Sequence, residues 1–177
     1  MAYRAVFLDR DGTMNRDVPY CRRPEDFELF SNTARAIKRL NESGYKVIII
    51  TNQSGVARGY FTEETLARIH QKMLNQLAEG DAHIDGLYYC PHHPDDNCDC
   101  RKPKPKMVLQ AAQEHDIDLQ RSFMVGDKPL DIQLGQNVGC RTVLIASDPG
   151  DTGPGLCSPD YTTADLYQAA LWIIKQK

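Results

Sequence analysis

The chain has 177 residues, of which 41% are hydrophobic and 25% charged, and its formal net charge is −3. This length suits one domain with a single sizeable core, and the charge argues against a general attraction to nucleic acid or membranes. The first residues lack the apolar stretch and cleavage site of a signal peptide, and no run reaches the ~18 apolar residues that cross a bilayer. We therefore expect one domain over residues 1–177, a cytoplasmic location with reduced thiols, and a monomer without nucleic-acid or membrane partners.

Strand-like apolar runs alternate with helical patterns along the chain. In chain order, the patterns predict strand 4–9, helix 31–44, strand 45–52, helix 62–80, strand 84–90, helix 106–116, strand 121–127, helix 130–139, strand 141–146 and helix 163–176. A Gly/Pro-rich stretch between DPG and CSPD is predicted to be a surface loop. The alternation predicts an α/β fold in three layers, a central parallel sheet covered by helices on both faces.

Polar side chains end four of the predicted strands: Asp9, Thr51, Cys90 and Asp127. In open parallel sheets, ligand sites lie outside these carboxyl ends. Asp9 and Asp11 would start on the same side of a strand and would repel each other unless a cation lay between them. Mg²⁺ is the natural cation because it prefers oxygen ligands and is often held by one or two carboxylates together with substrate phosphate. Asp127 would supply a second carboxylate, and Asp131 is a reserve ligand.

Four soft or borderline metal ligands lie in the segment CPHHPDDNCDC, which we call the zinc loop (residues 90–100): Cys90, His92, Cys98 and Cys100. They suit tetrahedral Zn²⁺, and a site filled by four protein ligands is typically structural. Disulfides are the competing interpretation, but a reducing compartment and the spacing of His92 argue against them. The loop would hold Arg101 and Lys102 toward the active site.

The remaining histidines and cysteines are mostly interpreted as residues without a catalytic or metal-binding role. His93 is a weaker zinc-ligand candidate. The other histidines are expected to be exposed: His70, His83 and His115. Three scattered cysteines are interpreted as packing or surface thiols: Cys21, Cys140 and Cys157.

Four segments, FLDRDGT, VIIITNQSG, CRKPKP and MVGDKPLD, resemble in order the four motifs of the haloacid dehalogenase superfamily of phosphohydrolases. The resemblance implies a Rossmann-like fold, with Asp9 as nucleophile and Asp11 as general acid/base. It also implies phosphoryl binding at Thr51 and Lys102, and Mg²⁺ on Asp9, Asp127 and the backbone carbonyl of Asp11. Too little sequence follows the first two motifs to encode a large cap domain.

The segments TNQSGVARGYF, YYCPHHP and CDCRKPKP narrow the resemblance to the D-glycero-D-manno-heptose 1,7-bisphosphate phosphatase family, which removes the 7-phosphate. That resemblance implies a Mg²⁺-dependent phosphatase that forms an aspartyl-phosphate and acts on a small sugar phosphate. The implied substrate contacts are Asp17, Val18, Pro19, Tyr20, Asn52, Gln53, Ser54, Arg101 and Lys128. The chain departs from the family pattern at Lys106, interpreted as a surface lysine, and at Pro129.

Two alternatives remain open on the sequence. The histidinol-phosphate phosphatase family has the same layout, although it tends to carry TNQDG where this chain has TNQSG, and the VARG continuation favours the heptose family. A non-catalytic module that binds a partner through the zinc loop is the third hypothesis, and the intact pair of Asp9 and Asp11 argues against it.

Overall fold

The structure is a computed structural model that describes residues 2–146 and 158–176. Six strands form one sheet: β1 (Arg4–Leu8), β2 (Tyr45–Asn52), β3 (Gly86–Cys90), β4 (Phe123–Gly126), β5 (Arg141–Ile145) and β6 (Tyr161–Thr163). Their order is β3-β2-β1-β4-β5-β6, and every pair is parallel. The strand order reverses between β1 and β4, and in sheets of this kind the crevice at such a reversal is where ligands bind.

Helices cover both faces of the sheet: α1 (Thr33–Glu42), α2 (Glu63–Glu79), α3 (Lys106–Glu114), α4 (Pro129–Asn137) and α5 (Leu166–Ile174). Because side chains alternate along a strand, Val6 and Leu8 enter one buried cluster while Ala5 and Phe7 enter the other. The first cluster receives α1, α2 and α5, and the second receives α3 and α4. Burial on both faces explains why β2 is an almost continuous run of β-branched residues.

The predicted α/β fold in three layers is confirmed, and two details differ. Strand β6 was not predicted, because three residues are too few to show an alternating pattern. The final helix begins at Leu166, after the Asp165 side chain caps it by accepting from Gln168 N at 2.8 Å. Most of the predicted surface loop between DPG and CSPD lies outside the described residues, and so does Cys157. In the described part of the chain, no helix has the length and apolar character to cross a membrane.

Candidate active site

Asp9 follows the last residue of the central strand β1, and its carboxylate is buried against a lysine. Asp9 Oδ1 accepts a hydrogen bond from Lys102 Nζ at 2.7 Å and one from Arg10 N at 2.8 Å. Lys102 Nζ also contacts Asp131 Oδ1 at 2.8 Å. Burial alone would lower the pKa of Lys102, but the negative charges of Asp9 and Asp131 outweigh it and raise that pKa. Lys102 is therefore a permanent cation beside the Asp9 carboxylate.

Three carboxylates, from Asp9, Asp127 and Asp131, gather within 4.8 Å of one another. Burial and then the charge of Asp9 raise the pKa of Asp127 to about 7, and burial raises that of Asp131 to about 6 despite Lys102. Such mutual repulsion is relieved by a cation, and oxygen ligands alone favour a hard ion such as Mg²⁺. The residues present therefore fit the predicted magnesium site, with Asp131 in the cluster rather than in reserve.

The carboxylate of Asp11 is not part of this cluster. Strand β1 ends at Leu8, and the chain then turns, with Met14 N donating to Arg10 O at 2.8 Å. The carboxylates that gather with Asp9 do not include that of Asp11, and a cation between Asp9 and Asp11 stays a prediction. Asp127 and Asp131 are the carboxylates that face Asp9.

The turn after β1 passes very close to Asp127. A Cβ atom on Gly12 would lie 2.3 Å from Asp127 Oδ2, and the φ angle of Gly12 is +88°, so only glycine suits this position. Thr13 Oγ1 donates to Asp127 Oδ1 at 3.3 Å. Thr13 is a site residue that the sequence interpretation missed, although it lies within the quoted first motif.

Asp11 accepts hydrogen bonds from three side chains. Arg10 binds both carboxylate oxygens, Asn15 Nδ2 donates to Oδ1 at 2.9 Å, and Gln53 Nε2 donates to Oδ2 at 2.8 Å. Burial would raise the pKa of Asp11, but the charge of Arg10 and these hydrogen bonds lower it below its usual value. Asp11 is therefore ionised in the substrate-free protein. Gln53 Nε2 also donates to Thr51 Oγ1 at 2.9 Å, which links the acid/base candidate to the phosphoryl-binding candidate.

Two neighbouring cavities open onto these residues. One, of about 170 Å³, is lined by Asp9, Asp11, Thr51, Asn52, Arg101, Lys102, Lys128 and Leu130. The other, of about 240 Å³, is lined by Asp11, Asp17, Val18, Pro19, Tyr20, Cys21, Asn52, Gln53, Ser54, Gly55 and Lys128. Every predicted catalytic and substrate-binding residue lines one of them, and three residues line both. Leu130, Cys21 and Gly55 also line the cavities without having been predicted.

Cations border both cavities. Arg101 Nη1 is buried and has no hydrogen-bond partner among the described residues, so an oxygen of a bound anion would satisfy it. Lys128 Nζ contacts Asp17 Oδ2 at 3.2 Å, which connects the segment after the first motif with the fourth motif.

The zinc loop brings its four predicted ligands together. Cys90 Sγ lies 3.6 Å from Cys98 Sγ, which lies 3.7 Å from Cys100 Sγ. His92 Nδ1 lies 3.6 Å from Cys90 Sγ and 3.3 Å from Cys100 Sγ. Tetrahedral ligands at Zn–S about 2.3 Å and Zn–N about 2.0–2.1 Å lie roughly 3.6–3.8 Å apart, so this geometry fits Zn²⁺. The cysteines are free thiols, which removes the disulfide alternative.

Other histidines and one lysine take different places. His93 lies outside the ligand cluster, where its side chain accepts from Asp95 N and caps the 3₁₀ helix Pro94–Asp96. The expectation of exposed histidines is right for His83 but wrong for His70, which is buried, and for His115, which is half-buried. Lys106 is exposed and pairs with Asp99, as a surface lysine does.

The chain resembles known phosphatases over most of its length. A family model described as HAD-hydrolase-like matches residues 99–169. The D-glycero-beta-D-manno-heptose-1,7-bisphosphate 7-phosphatase of Haemophilus influenzae is 42% identical over 167 residues, which cover 89% of this chain and 90% of that protein. The chain belongs to this family of heptose bisphosphate phosphatases. Its Helicobacter pylori member is 44% identical over 143 residues, covering 80% of this chain and 83% of that protein.

Solved structures of heptose bisphosphate phosphatases have the same fold. The D,D-heptose 1,7-bisphosphate phosphatase of B. bronchiseptica, complexed with magnesium and phosphate, superposes with a TM-score of 0.89 at 34% identity, covering 98% of this chain and 99% of that one. The enzyme from Burkholderia thailandensis gives a TM-score of 0.75 at 28% identity, covering 98% and 99%. The family resemblance is confirmed. The described residues form two groups that could hold the predicted cofactors, the three carboxylates for Mg²⁺ and the four zinc-loop residues for Zn²⁺.

Proposed function

We propose that this phosphatase removes the 7-phosphate of D-glycero-D-manno-heptose 1,7-bisphosphate through an aspartyl-phosphate on Asp9. The observation that carries the proposal is the Asp9 carboxylate, which lines the smaller cavity, lies 2.7 Å from the Lys102 ammonium and belongs to the carboxylate cluster. The heptose substrate is supported by relatives named for it that are more than 40% identical to this chain.

In the first half-reaction, a carboxylate oxygen of Asp9 attacks phosphorus, and the bond between phosphorus and the sugar oxygen breaks. Asp11 donates a proton to the departing oxygen, since a sugar alkoxide is a poor leaving group. The substrate-free pKa of Asp11 is low, but a doubly negative phosphoryl group beside it acts in the opposite direction and favours its acid form. The products are phospho-Asp9 and a heptose with its 1-phosphate intact.

In the second half-reaction, water attacks phosphorus and the bond between Asp9 and phosphorus breaks. Asp11, now ionised, accepts a proton from that water, so phosphate leaves, Asp9 is again a free carboxylate, and Asp11 is again in the acid form that it had in the substrate complex. A covalent intermediate divides one difficult hydrolysis into two easier steps.

Positive charge has to offset the repulsion between the Asp9 carboxylate and the phosphate. We assign this task to Lys102, whose Nζ lies 2.7 Å from Asp9, and to Arg101, whose Nη1 has no hydrogen-bond partner among residues 2–146 and 158–176. Thr51, the next-to-last residue of β2, whose Oγ1 accepts from Gln53, would donate its hydroxyl to a phosphoryl oxygen. Mg²⁺ bound by Asp9, Asp127 and the backbone carbonyl of Asp11 would supply further positive charge at the phosphoryl oxygens.

The paired cavities suit an extended substrate. We place the 7-phosphate in the smaller cavity with Asp9 and the sugar in the larger one, against the segment Asp17–Tyr20. Asn52 and Lys128 line both cavities, so they would lie beside the part of the substrate that joins them. We further propose that residues 1–177 act as one domain and as a monomer, since one chain supplies every site residue named here. A cytoplasmic location would keep the zinc thiols reduced.

Side-by-side turnover of heptose 1,7-bisphosphate and histidinol phosphate tests the substrate. A higher kcat/KM for the heptose bisphosphate supports the proposal, and a preference for histidinol phosphate overturns it. Asp9→Asn tests the mechanism, because an amide cannot form the acyl-phosphate. The variant should fold, release zinc no more readily than the parent, and retain less than about one per cent of activity, a loss of 10²-fold or more.

A further inference from the structure

Arg10 lies between the two aspartates of the first motif, and its side chain is completely buried. A buried arginine needs specific partners, because removing its charge from water is costly. Nη2 donates to Asp11 Oδ1 at 2.9 Å and to Oδ2 at 2.8 Å, while Nε donates to Oδ1 at 3.1 Å. Three hydrogen bonds from one rigid, planar guanidinium fix the plane of the Asp11 carboxylate.

His70 on α2 holds Arg10 from its other side. Arg10 Nη1 lies 3.0 Å from His70 Nε2, and a guanidinium has donors but no acceptor. Nε2 must therefore accept this hydrogen bond, which leaves the imidazole proton on Nδ1. The ring of Phe27 lies 5.8 Å from the guanidinium carbon and adds a third contact. The turn that carries Arg10 is thus connected to α2, through a residue 60 positions away in the chain.

The oxygens of Asp11 face different surroundings. Both oxygens accept from Arg10, but Oδ1 also accepts from buried Asn15, whereas Oδ2 also accepts from Gln53, which lines the larger cavity. Oδ2 is therefore the oxygen that the Gln53 hydrogen bond connects to the wall of the larger cavity. Neither Arg10 nor His70 is among the residues that line the two cavities, so neither contacts the substrate there.

We propose that Arg10 and His70 are positioning residues for proton transfer. His70 holds Arg10, and Arg10 orients the Asp11 carboxylate so that Oδ2 presents its proton to the departing sugar oxygen. The proposal rests on the phosphatase mechanism given above. It differs from a purely structural explanation of the buried pair, because positioning matters only for leaving groups that need a proton.

Leaving-group dependence tests the proposal. A sugar phosphate needs protonation of its leaving oxygen, whereas p-nitrophenyl phosphate releases a stable anion without it. The measured quantity is the ratio of kcat on heptose 1,7-bisphosphate to kcat on p-nitrophenyl phosphate. We would compare His70→Leu, which removes the acceptor, with His70→Gln, whose side-chain oxygen can accept from Arg10. Gln71→Leu, at an exposed position of the same helix, is the matched control.

His70→Leu should lower the ratio about 10-fold or more, within the 10²–10⁴-fold that general acid catalysis contributes. His70→Gln should restore the ratio to within about threefold of the parent, and Gln71→Leu should leave it unchanged. Arg10→Lys keeps the charge but loses the bidentate geometry, so it should lower the ratio like His70→Leu. Thermal unfolding of each variant establishes that it is folded. If His70→Leu does not fold, His70→Gln and Arg10→Lys decide.

Equal losses on both substrates, or a ratio unchanged by Arg10→Lys, would overturn the positioning proposal while leaving the phosphatase function intact. If the parent hydrolyses p-nitrophenyl phosphate and another alkyl phosphate but not the heptose bisphosphate, the substrate proposal fails. The positioning proposal is then tested with the ratio of kcat on that alkyl phosphate to kcat on p-nitrophenyl phosphate. A parent that hydrolyses no phosphate ester contradicts both proposals.

Discussion

Asn52 binds both backbone polar groups of Lys102. Its Oδ1 accepts from Lys102 N at 3.1 Å, and its Nδ2 donates to Lys102 O at 3.4 Å. Asn52 is the last residue of β2, and Lys102 lies just after the zinc loop. A residue of the sheet therefore fixes the backbone from which Lys102, the proposed catalytic lysine, extends. Asn52 was predicted to bind substrate, and these bonds give its side chain a positioning role as well.

Asn52→Ala should lower kcat about 10-fold and raise KM, because misplacing a catalytic group by about 1 Å can cost up to 10²-fold. It should also lower the free energy of unfolding by about 1–2 kcal/mol, since two hydrogen bonds are lost. Asn52→Asp, which keeps the acceptor for Lys102 N, is expected to lie between the parent and Asn52→Ala. Steady-state kinetics with urea unfolding test this, and parent-like kinetics in Asn52→Ala would contradict it.

Gly12→Ala should abolish most activity, because its Cβ would lie 2.3 Å from Asp127 Oδ2 at a φ of +88°. We expect kcat to fall by roughly 10²-fold and the Mg²⁺ concentration needed for half-maximal activity to rise. Gly44→Ala is the matched control: its φ is +79°, and no atom of the residues that the structure describes lies within 4 Å of an added Cβ. That control should cost about 1–2 kcal/mol of stability and leave the kinetics unchanged. Similar kinetics in the two variants would argue against close packing at Asp127.

Replacing Cys98 and Cys100 with Ser should release zinc and lower thermal stability, because zinc binding is coupled to folding. Activity should fall because Arg101 and Lys102 directly follow Cys100 and would be misplaced. Added Mg²⁺ should not restore activity, because the predicted Mg²⁺ site is a separate site with oxygen ligands. Elemental analysis should find about one zinc per parent chain and almost none in the double variant. Cys140→Ala, a buried cysteine outside the ligand cluster, should keep its zinc. A zinc-free double variant with normal stability and kinetics would refute this account.

Acid should destabilise the protein partly through His70. Burial and the charge of Arg10 lower the pKa of His70 from 6.5 to about 3. Between these pH values the unfolded chain binds a proton that the folded chain does not, so this contribution to stability is present above pH 6.5 and is lost as pH falls. The loss reaches about 2 kcal/mol at pH 5, at roughly 1.4 kcal/mol per pH unit.

Urea unfolding of the parent and of His70→Gln at pH 7, 6 and 5 measures this effect. The parent should lose more stability than the variant over that interval, because glutamine does not titrate. Other titrating groups act equally in both proteins and cancel in the difference. Parallel stability curves would show that His70 is not held neutral.

The sheet and the order of its motifs were predictable from local patterns. Runs such as that of β2 are β-branched because both faces are covered, and polar residues follow the strands where a parallel sheet binds ligands. His70 was misassigned although a signal was present. It lies four residues after Leu66 and three before Met73, on the buried stripe of α2. A polar residue on such a stripe indicates burial with a partner.

The sequence by itself determined the α/β architecture and the grouping of the four predicted zinc ligands, because these depend on local spacing and on strand ends that meet at one edge. The family motifs indicated most of the residues that line the two cavities, although Cys21, Gly55 and Leu130 were missed. Tertiary structure alone decided which carboxylates gather and which donors each one receives. Lys102 donates hydrogen bonds to both Asp9 and Asp131, and Arg10 donates to Asp11. The physical reason is that a buried charge takes whichever partners the packing brings within hydrogen-bond distance. Residues such as Arg10 and His70, far apart in the chain, meet only after helix and sheet have packed.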